Sequence, residues 1–273
     1  MPKGLAITLL FLAGLLALYL GTLAFLWWRQ ERLLFYPEPL PASYPLATAP
    51  DIHERTVAVA GAQLSVLQLK VPDAKGVVFY LHGNAGNLAR WFSNADFYRA
   101  ARFDLVMPDY RGYGKSTGAI AGVEQLRADM RAVWDAFAGE YRGKRIVVFG
   151  RSLGTALAAD LAEQLSSEGH APQLTVLVSP YSSLRELTAE FYPWVPGALL
   201  RYPLDTGSHL PGIRGTVLLV HGEDDALIAL RHSRHLQQVL PSARLLVVPG
   251  AGHNDVHEFA LYRQVLGQAL DAL

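Results

Sequence analysis

From residue 4 to residue 28 the chain carries no charged side chain. Roughly 25 helical residues rising about 1.5 Å each are longer than the ~30 Å hydrocarbon core of a bilayer, so this run predicts a membrane-spanning helix. A cleaved signal peptide is the competing reading, but its apolar region is usually only ~7–15 residues long. Thr22-Leu23-Ala24 is also a poor cleavage site. Tyr19, Trp27 and Trp28 suit the membrane interface, with Arg29 and Arg32 just beyond. Lys3 and the α-amine stand against those two arginines, a difference too small to orient the helix, so the expectation is a single-pass protein with the side of its folded domain undetermined. Prolines at 37, 39, 41 and 45 then predict an extended, semi-rigid spacer. The division expected is an anchor with its flanks over 1–32, a proline-rich linker over 33–50 and a folded domain over 51–273.

Within that domain, residues 56–60 and 64–71 flank Gly61-Ala62-Gln63 and read as a hairpin with partial alternation. The pattern then changes to short continuous apolar runs at 77–81, 105–107, 146–149, 175–178, 217–220 and 245–248. Continuous runs mean strands buried on both faces. Helices are predicted over 87–102, 123–141, 153–166, 231–240 and 256–270, and the alternating β/α order implies a mostly parallel sheet flanked by helices. Residues 181–215, with several aromatics and with Pro193 and Pro196 breaking them into short helices, are the place for a short cap.

Composition narrows the chemistry. Of 273 residues, 51% are hydrophobic and 18% charged, and 24 Lys+Arg balance 24 Asp+Glu, so no basic face points to nucleic acid. The absence of cysteine excludes disulfides, thiolate metal sites and Cys nucleophiles. There is no H-E-x-x-H and no G-x-G-x-x-G, and Gly114-Lys115-Ser116 lacks the upstream glycine of a P-loop, because Asp109 stands there. His232 and His235 have helical spacing without a carboxylate ligand beside them, and both are expected to face solvent. No cofactor or metal is called for.

In open α/β sheets ligands bind beyond the carboxyl ends of the strands. The residues there are chemically rich. Gly150-Arg151-Ser152-Leu153-Gly154 joins a buried strand to a helix, which exposes the Ser152 hydroxyl at a helix N-terminus where developing negative charge is favoured. A serine before a helix can also be no more than an N-cap, so a base is required. His253, in the Gly-rich loop after the last strand, is the candidate, with His257 as the nearby alternative. The carboxylate that would orient it follows the preceding strand, where Asp224 and Asp225 both qualify.

The ordered set H-G-N-A-G-N, D-Y-R-G-Y-G-K-S, G-R-S-L-G, H-G-E-D-D-A-L-I and G-A-G-H resembles the α/β-hydrolase superfamily over nearly all of the chain after the anchor. Within it the sequence resembles membrane-anchored abhydrolase-domain serine hydrolases, including bacterial members labelled serine-aminopeptidase-like. The resemblance implies an α/β-hydrolase fold over 51–273 and a Ser152–Asp225–His253 triad. The family spacing H-G-x-x-D-x-x-V/I-P lands the acid on Asp225, although Ala229 stands where proline is usual. It also implies an oxyanion hole from the backbone N–H groups of Asn84 and Leu153. With no P-loop there, 109–116 is expected to be a structural loop beside the site. Ser152 as nucleophile argues against the aspartate-dependent dehalogenases and epoxide hydrolases of this fold.

The function expected is hydrolysis of carboxylic esters or thioesters, with small acyl esters, acyl thioesters or lipids as substrates, through an acyl-enzyme. A serine peptidase is the alternative, and a catalytically idle membrane scaffold a weaker one. Residues 1 to about 45 are expected to give location only, so that deleting them removes no interior packing.

Overall fold

The computed structural model describes residues 3–273; the α-amine and the first two residues of the anchor segment lie outside the described residues. Helix α1 covers Lys3–Trp28, with nearly all of its side chains exposed, and a short α2 follows at Gln30–Leu34. The sheet begins with β1 (Ile52–Val59) and β2 (Ala62–Leu69), which form the predicted antiparallel hairpin around Gly61. Next come β3 (Gly76–Leu81), α3 (Leu88–Trp91), α4 (Ala95–Ala101) and β4 (Phe103–Pro108). Helix α5 (Val123–Ala138) leads to β5 (Arg145–Arg151) and α6 (Gly154–Ser167). The chain closes with β6 (Leu174–Val178), α7 (Leu184–Phe191), α8 (Thr206–His209), β7 (Thr216–Gly222), α9 (Arg231–Val239), β8 (Arg244–Val248) and α10 (Ala260–Asp271).

The eight strands form one sheet in the order β1-β2-β4-β3-β5-β6-β7-β8, antiparallel at the β1–β2 and β2–β4 pairs and parallel from β4 to β8. Successive side chains of a strand face opposite ways, so the apolar runs build two cores. Val77, Phe79, Leu81 and Val148 join α5 and α6 on one face, whereas Val78, Tyr80, Val147 and Phe149 join α4 and α10 on the other.

Three expectations change. The helix predicted over 87–102 is two: Asn87 caps α3 through its side chain, and the chain leaves the helical path at Phe92-Ser93-Asn94 before α4. Ser93 and Asn94, both weak helix formers, stand at the break. The helix predicted over 256–270 is interrupted at extended Phe259, leaving one tight turn at Val256–Glu258 before α10.

The third change concerns the spacer. It is extended, as its prolines dictate, but it is docked rather than free: Glu38 N–H donates to Gly86 O at 3.3 Å and Leu40 N–H to Gly114 O at 2.8 Å. Phe35 is 5% exposed and packs in the same core as Phe79 and Leu81, its ring edge-on to Tyr202 at 5.1 Å. Gln30 and Leu46 are buried as well. Removing residues up to 45 therefore does remove interior packing. A chain beginning at Gln30 should melt within about 2 °C of full length, given that a shift of that size is under about 1 kcal/mol for a domain this large. A chain beginning at Asp51 loses Phe35, and truncating a buried Phe costs about 3–5 kcal/mol. Its melting temperature should fall by at least about 6 °C. Equal melting of the two truncated proteins, followed by circular dichroism, would show that the docked segment carries no stability.

Candidate active site

The site is organised by the turn from β5 into α6. Ser152 has φ of +50°, a left-handed conformation uncommon for a residue with a side chain and costly unless its surroundings enforce it. They do. Its N–H donates to Val178 O at the end of β6 at 2.9 Å, and its carbonyl accepts from both the N–H and the hydroxyl of Thr155, at 2.9 and 2.6 Å. Neither flanking glycine has room for a side chain: a Cβ on Gly150 would strike Ala158 and the Thr155 backbone, and one on Gly154 would strike the Leu81 carbonyl. The helix thus packs hard against β3 and β5, and the Ser152 side chain is left half-exposed at the mouth of a cavity of about 650 Å³.

His253 reaches this hydroxyl from the loop after β8, with Nε2 3.0 Å from Ser152 Oγ and Nδ1 2.8 Å from Asp225 Oδ2. The Asp225 side chain is fully buried, which by itself raises the pKa of a carboxyl group. Hydrogen bonds from His221 and His253 and the Ile228 N–H at 2.8 Å outweigh that burial and hold the group well below the usual carboxylate range. As an ionised carboxylate it can only accept, so Nδ1–H of His253 donates to it and the free Nε2 lone pair faces the Ser152 O–H. His221 Nε2 lies 2.7 Å from Ile228 O and 3.4 Å from Asp225 Oδ2, which fixes its proton on Nε2 and adds a second donor beside the acid. Asp224 is exposed, with its backbone N–H donated to Ala251 O at 2.9 Å, and takes no part in this relay.

The other sequence candidates sort by contact. His257 sits on the tight turn before α10, its Nδ1 3.4 Å from Arg151 Nη1; burial, then the Arg151 charge, lowers its pKa. His235 is exposed as expected, but His232 is not: it is 3% exposed, with Nδ1 2.8 Å from Ser182 Oγ and Nε2 3.3 Å from Glu190. It lies on the inward face of α9 beside Ser233 and Leu236, a face too polar in sequence to mark it as buried. The loop 109–116 is structural, as read: Asp109 accepts from the Leu88 N–H at 3.1 Å, and Ser116 bonds Asp109 O and the Ser65 N–H. The Asn84 and Leu153 N–H groups have no hydrogen-bond acceptor among the described residues.

Three side chains outside the relay shape the site. Asn84 is more than a backbone donor: its Oδ1 accepts from Tyr36 N–H, Ala85 N–H and the Tyr113 hydroxyl, while its Nδ2 donates to Leu34 O at 2.6 Å. It thereby latches the segment after α2 to the loop after β3. The Trp91 ring leaves no space for a Cβ on Gly83, and its indole N–H donates to Ala85 O at 2.8 Å. Arg151, next to Ser152 in sequence, is buried under the Trp91 ring at 5.3 Å and donates through Nη2 to His253 O at 3.2 Å and Asn254 O at 2.8 Å. A strand-end arginine inside G-x-S-x-G was the available signal.

Arg151 joins the strand that carries the serine to the loop that carries the histidine. Hydrogen bonds to a charged group are worth about 1.5–3 kcal/mol, and about 1.4 kcal/mol is tenfold in a local opening equilibrium. In Arg151→Met, amide hydrogen exchange over residues 252–255 should accelerate by at least about tenfold while β6 keeps its protection. Unchanged exchange in that loop would mean that the Asp255 bond to the Gly252 N–H, at 2.7 Å, holds it without Arg151.

Comparison with known proteins bears on the fold and the family. Residues 72–203 match the family described as "Serine aminopeptidase, S33", a match that includes Ser152 and stops short of Asp225 and His253. An uncharacterized protein of Mycobacterium tuberculosis is 33% identical over 251 residues, covering 86% of this chain and 84% of that protein. The alpha/beta hydrolase domain-containing protein 17B of Homo sapiens is 30% identical over 207 residues, covering 72% of this chain and 67% of that protein. Among solved structures, an esterase of Pyrococcus furiosus superposes with a TM-score of 0.68 at 19% identity over 88% of this chain and 97% of that one. A soluble variant of the monoglyceride lipase of Saccharomyces cerevisiae gives 0.63 at 15% identity over 85% and 98%. With the sheet order, the strand-to-helix turn and these relatives in agreement, the chain is a hydrolase belonging to the α/β-hydrolase superfamily.

Proposed function

We propose that the protein is a membrane-anchored serine hydrolase that cleaves carboxylic esters or thioesters through an acyl-enzyme. The observation that carries this reading is the continuous relay from Ser152 Oγ to His253 to the ionised Asp225, at 3.0 and 2.8 Å. In the first half-reaction Ser152 Oγ bonds to the substrate carbonyl carbon and its proton passes to His253 Nε2. Asp225 stabilises the resulting imidazolium without taking a proton. The carbonyl oxygen, now an anion, is received by the N–H groups of Asn84 and Leu153. The tetrahedral species collapses as the bond to the leaving group breaks, and Nε2 returns the proton to that alcohol or thiol. Water, deprotonated by the same Nε2, then attacks the acyl carbon; the bond from that carbon to Oγ breaks, Nε2 returns the proton to Ser152 Oγ, and the carboxylic acid leaves. Each step uses only these three side chains, the two backbone N–H groups, the substrate and water.

The anchor is the 26-residue α1, which carries one charge, Lys3, at its outer end. The domain from 51 onward carries all five residues of this mechanism, and residues 181–215 form its short cap. Peptide or aminoacyl-amide cleavage is the second reading, favoured by the description of the matched family. The same atoms would act on an amide, so aminoacyl amides belong in the same activity screen as esters and thioesters.

Ser152→Ala should abolish labelling by a fluorophosphonate probe and lower ester turnover by at least about 10³-fold, since removing a triad member leaves only the oxyanion hole and binding. Labelling of that variant at the wild-type level would refute the assignment. Asp225→Asn, which holds the wrong histidine tautomer, should reduce kcat by about 10³–10⁴-fold, and Asp224→Asn by less than about threefold. The reverse ranking would move the acid to Asp224.

A further inference from the structure

A second cavity, of about 270 Å³, lies where α1 and α2 meet the cap. Its wall includes Leu26, Leu33, Ala189, Trp194, Leu199 and Leu200, and Arg185 is the one charged residue in it. Tyr36, whose backbone N–H donates to Asn84, belongs to the walls of both this groove and the cavity at Ser152, so the two adjoin there.

The groove is held open between elements that are bonded to each other at two levels. Near Ser152's side of the molecule, Gln30 Nε2 donates to Leu199 O at 2.9 Å, Gln30 Oε1 accepts from the Arg201 N–H at 2.6 Å, and Glu31 pairs with Arg201 and with the Tyr202 hydroxyl. Further along α1, the Tyr19 hydroxyl donates to Trp194 O at 2.9 Å. That second bond fixes how far the cap extends alongside the apolar helix. A helix of 26 residues is about 39 Å long and the hydrocarbon core about 30 Å, so a spanning α1 can stand clear of hydrocarbon by at most about 9 Å on the domain side. Tyr19 lies nine residues before Trp28, about 13.5 Å along the axis, and helical side chains lean further toward the N-terminus. The tip of the cap therefore reaches into the bilayer. Its side chains suit that position: Phe191, Tyr192 and Trp194 are 52%, 54% and 47% exposed to water in the isolated chain. Aromatic residues of this kind concentrate where a membrane meets water.

We propose that this groove is a binding site for a linear acyl chain that enters sideways from the bilayer, the chain lying between α1 and the cap while its carbonyl carbon reaches Ser152 past Tyr36. The substrate class is then a long-chain acyl ester or thioester presented at the membrane, rather than a soluble short-chain ester. This rests on the hydrolase and anchor readings above, and the test separates them.

Full-length Ser152→Ala protein in phosphatidylcholine vesicles, doped with phosphatidylcholine bearing a diazirine at the end of a hexadecanoyl chain, is irradiated and its cross-links mapped. Labels should appear on residues 185–200 as well as on α1, and adding Ala189→Trp, which fills the groove, should lower the cap labels at least about fivefold relative to those on α1. Thr188→Phe, on the same wall, should act in the same direction. A labelled α1 with an unlabelled cap, as a second copy of the chain covering that face would produce, overturns the proposal. The second readout is the ratio of kcat/KM for dodecanoyl over butanoyl 4-nitrophenyl esters in the Ser152 protein. Ala189→Trp should lower this ratio at least about tenfold, and a folded variant with an unchanged ratio contradicts the groove. Failure of the wild type to turn over any ester would refute the hydrolase reading, and cap labelling would still decide the groove.

Discussion

The structure depends on one tight junction, the turn that carries Ser152 from β5 into α6. A left-handed residue with a side chain is tolerated there because α6 approaches the sheet too closely for any side chain at Gly150 or Gly154, and because β6 and Thr155 hold the Ser152 backbone from both directions. Close approach in turn requires small side chains on α6, where Ala158 meets Gly150 of β5 and Ala156, Ala159 and Ala162 are buried as well. Packing and chemistry are thus one constraint. The same contacts that bury the helix keep a hydroxyl pointing out of the sheet, beside N–H groups that helix formation leaves unpaired.

Around that junction the rest of the site is assembled from distant parts of the chain by polar contacts with partly buried side chains. Arg151 ties it to the histidine loop, Asn84 to the segment after α2, and Glu31 with Arg201 joins that segment to the cap. Each of these bonds is partly buried and orders the group it holds. The helix that begins the chain is therefore mechanically continuous with the loop that carries Asn84. Location and chemistry, which the sequence presents as separate segments, share a framework in the folded protein.

Much of this was legible beforehand, for identifiable reasons. Strands buried on both faces leave continuous apolar runs, so all six parallel-sheet runs were found to within a few residues, and the hairpin around Gly61 betrayed itself by its turn. Ser152, His253 and the Asp224–Asp225 pair were legible because a strand-end position is where such groups collect; the choice of Asp225 needed either the family spacing or the fold, which alone shows which side chain turns inward. Other features were hidden because their signals are non-local. Nothing near Phe35 in sequence says that Tyr202 will cover it. His232 looks like one more polar residue on a polar helix until Ser182 and Glu190 arrive from the cap. The break at 92–94 was masked by a pattern that remains helical on both sides of it.

In the proposed reaction the acyl group passes through a covalent bond to Ser152 Oγ. Rapid mixing of the protein with excess 4-nitrophenyl butanoate, quenching in acid within the first turnovers and measuring the intact mass tests this directly. A population heavier by one butanoyl group is expected, localised by peptide mapping to the segment containing Ser152, with a matching burst of 4-nitrophenol. Steady ester turnover with no covalent adduct, or an adduct on another residue, would contradict it.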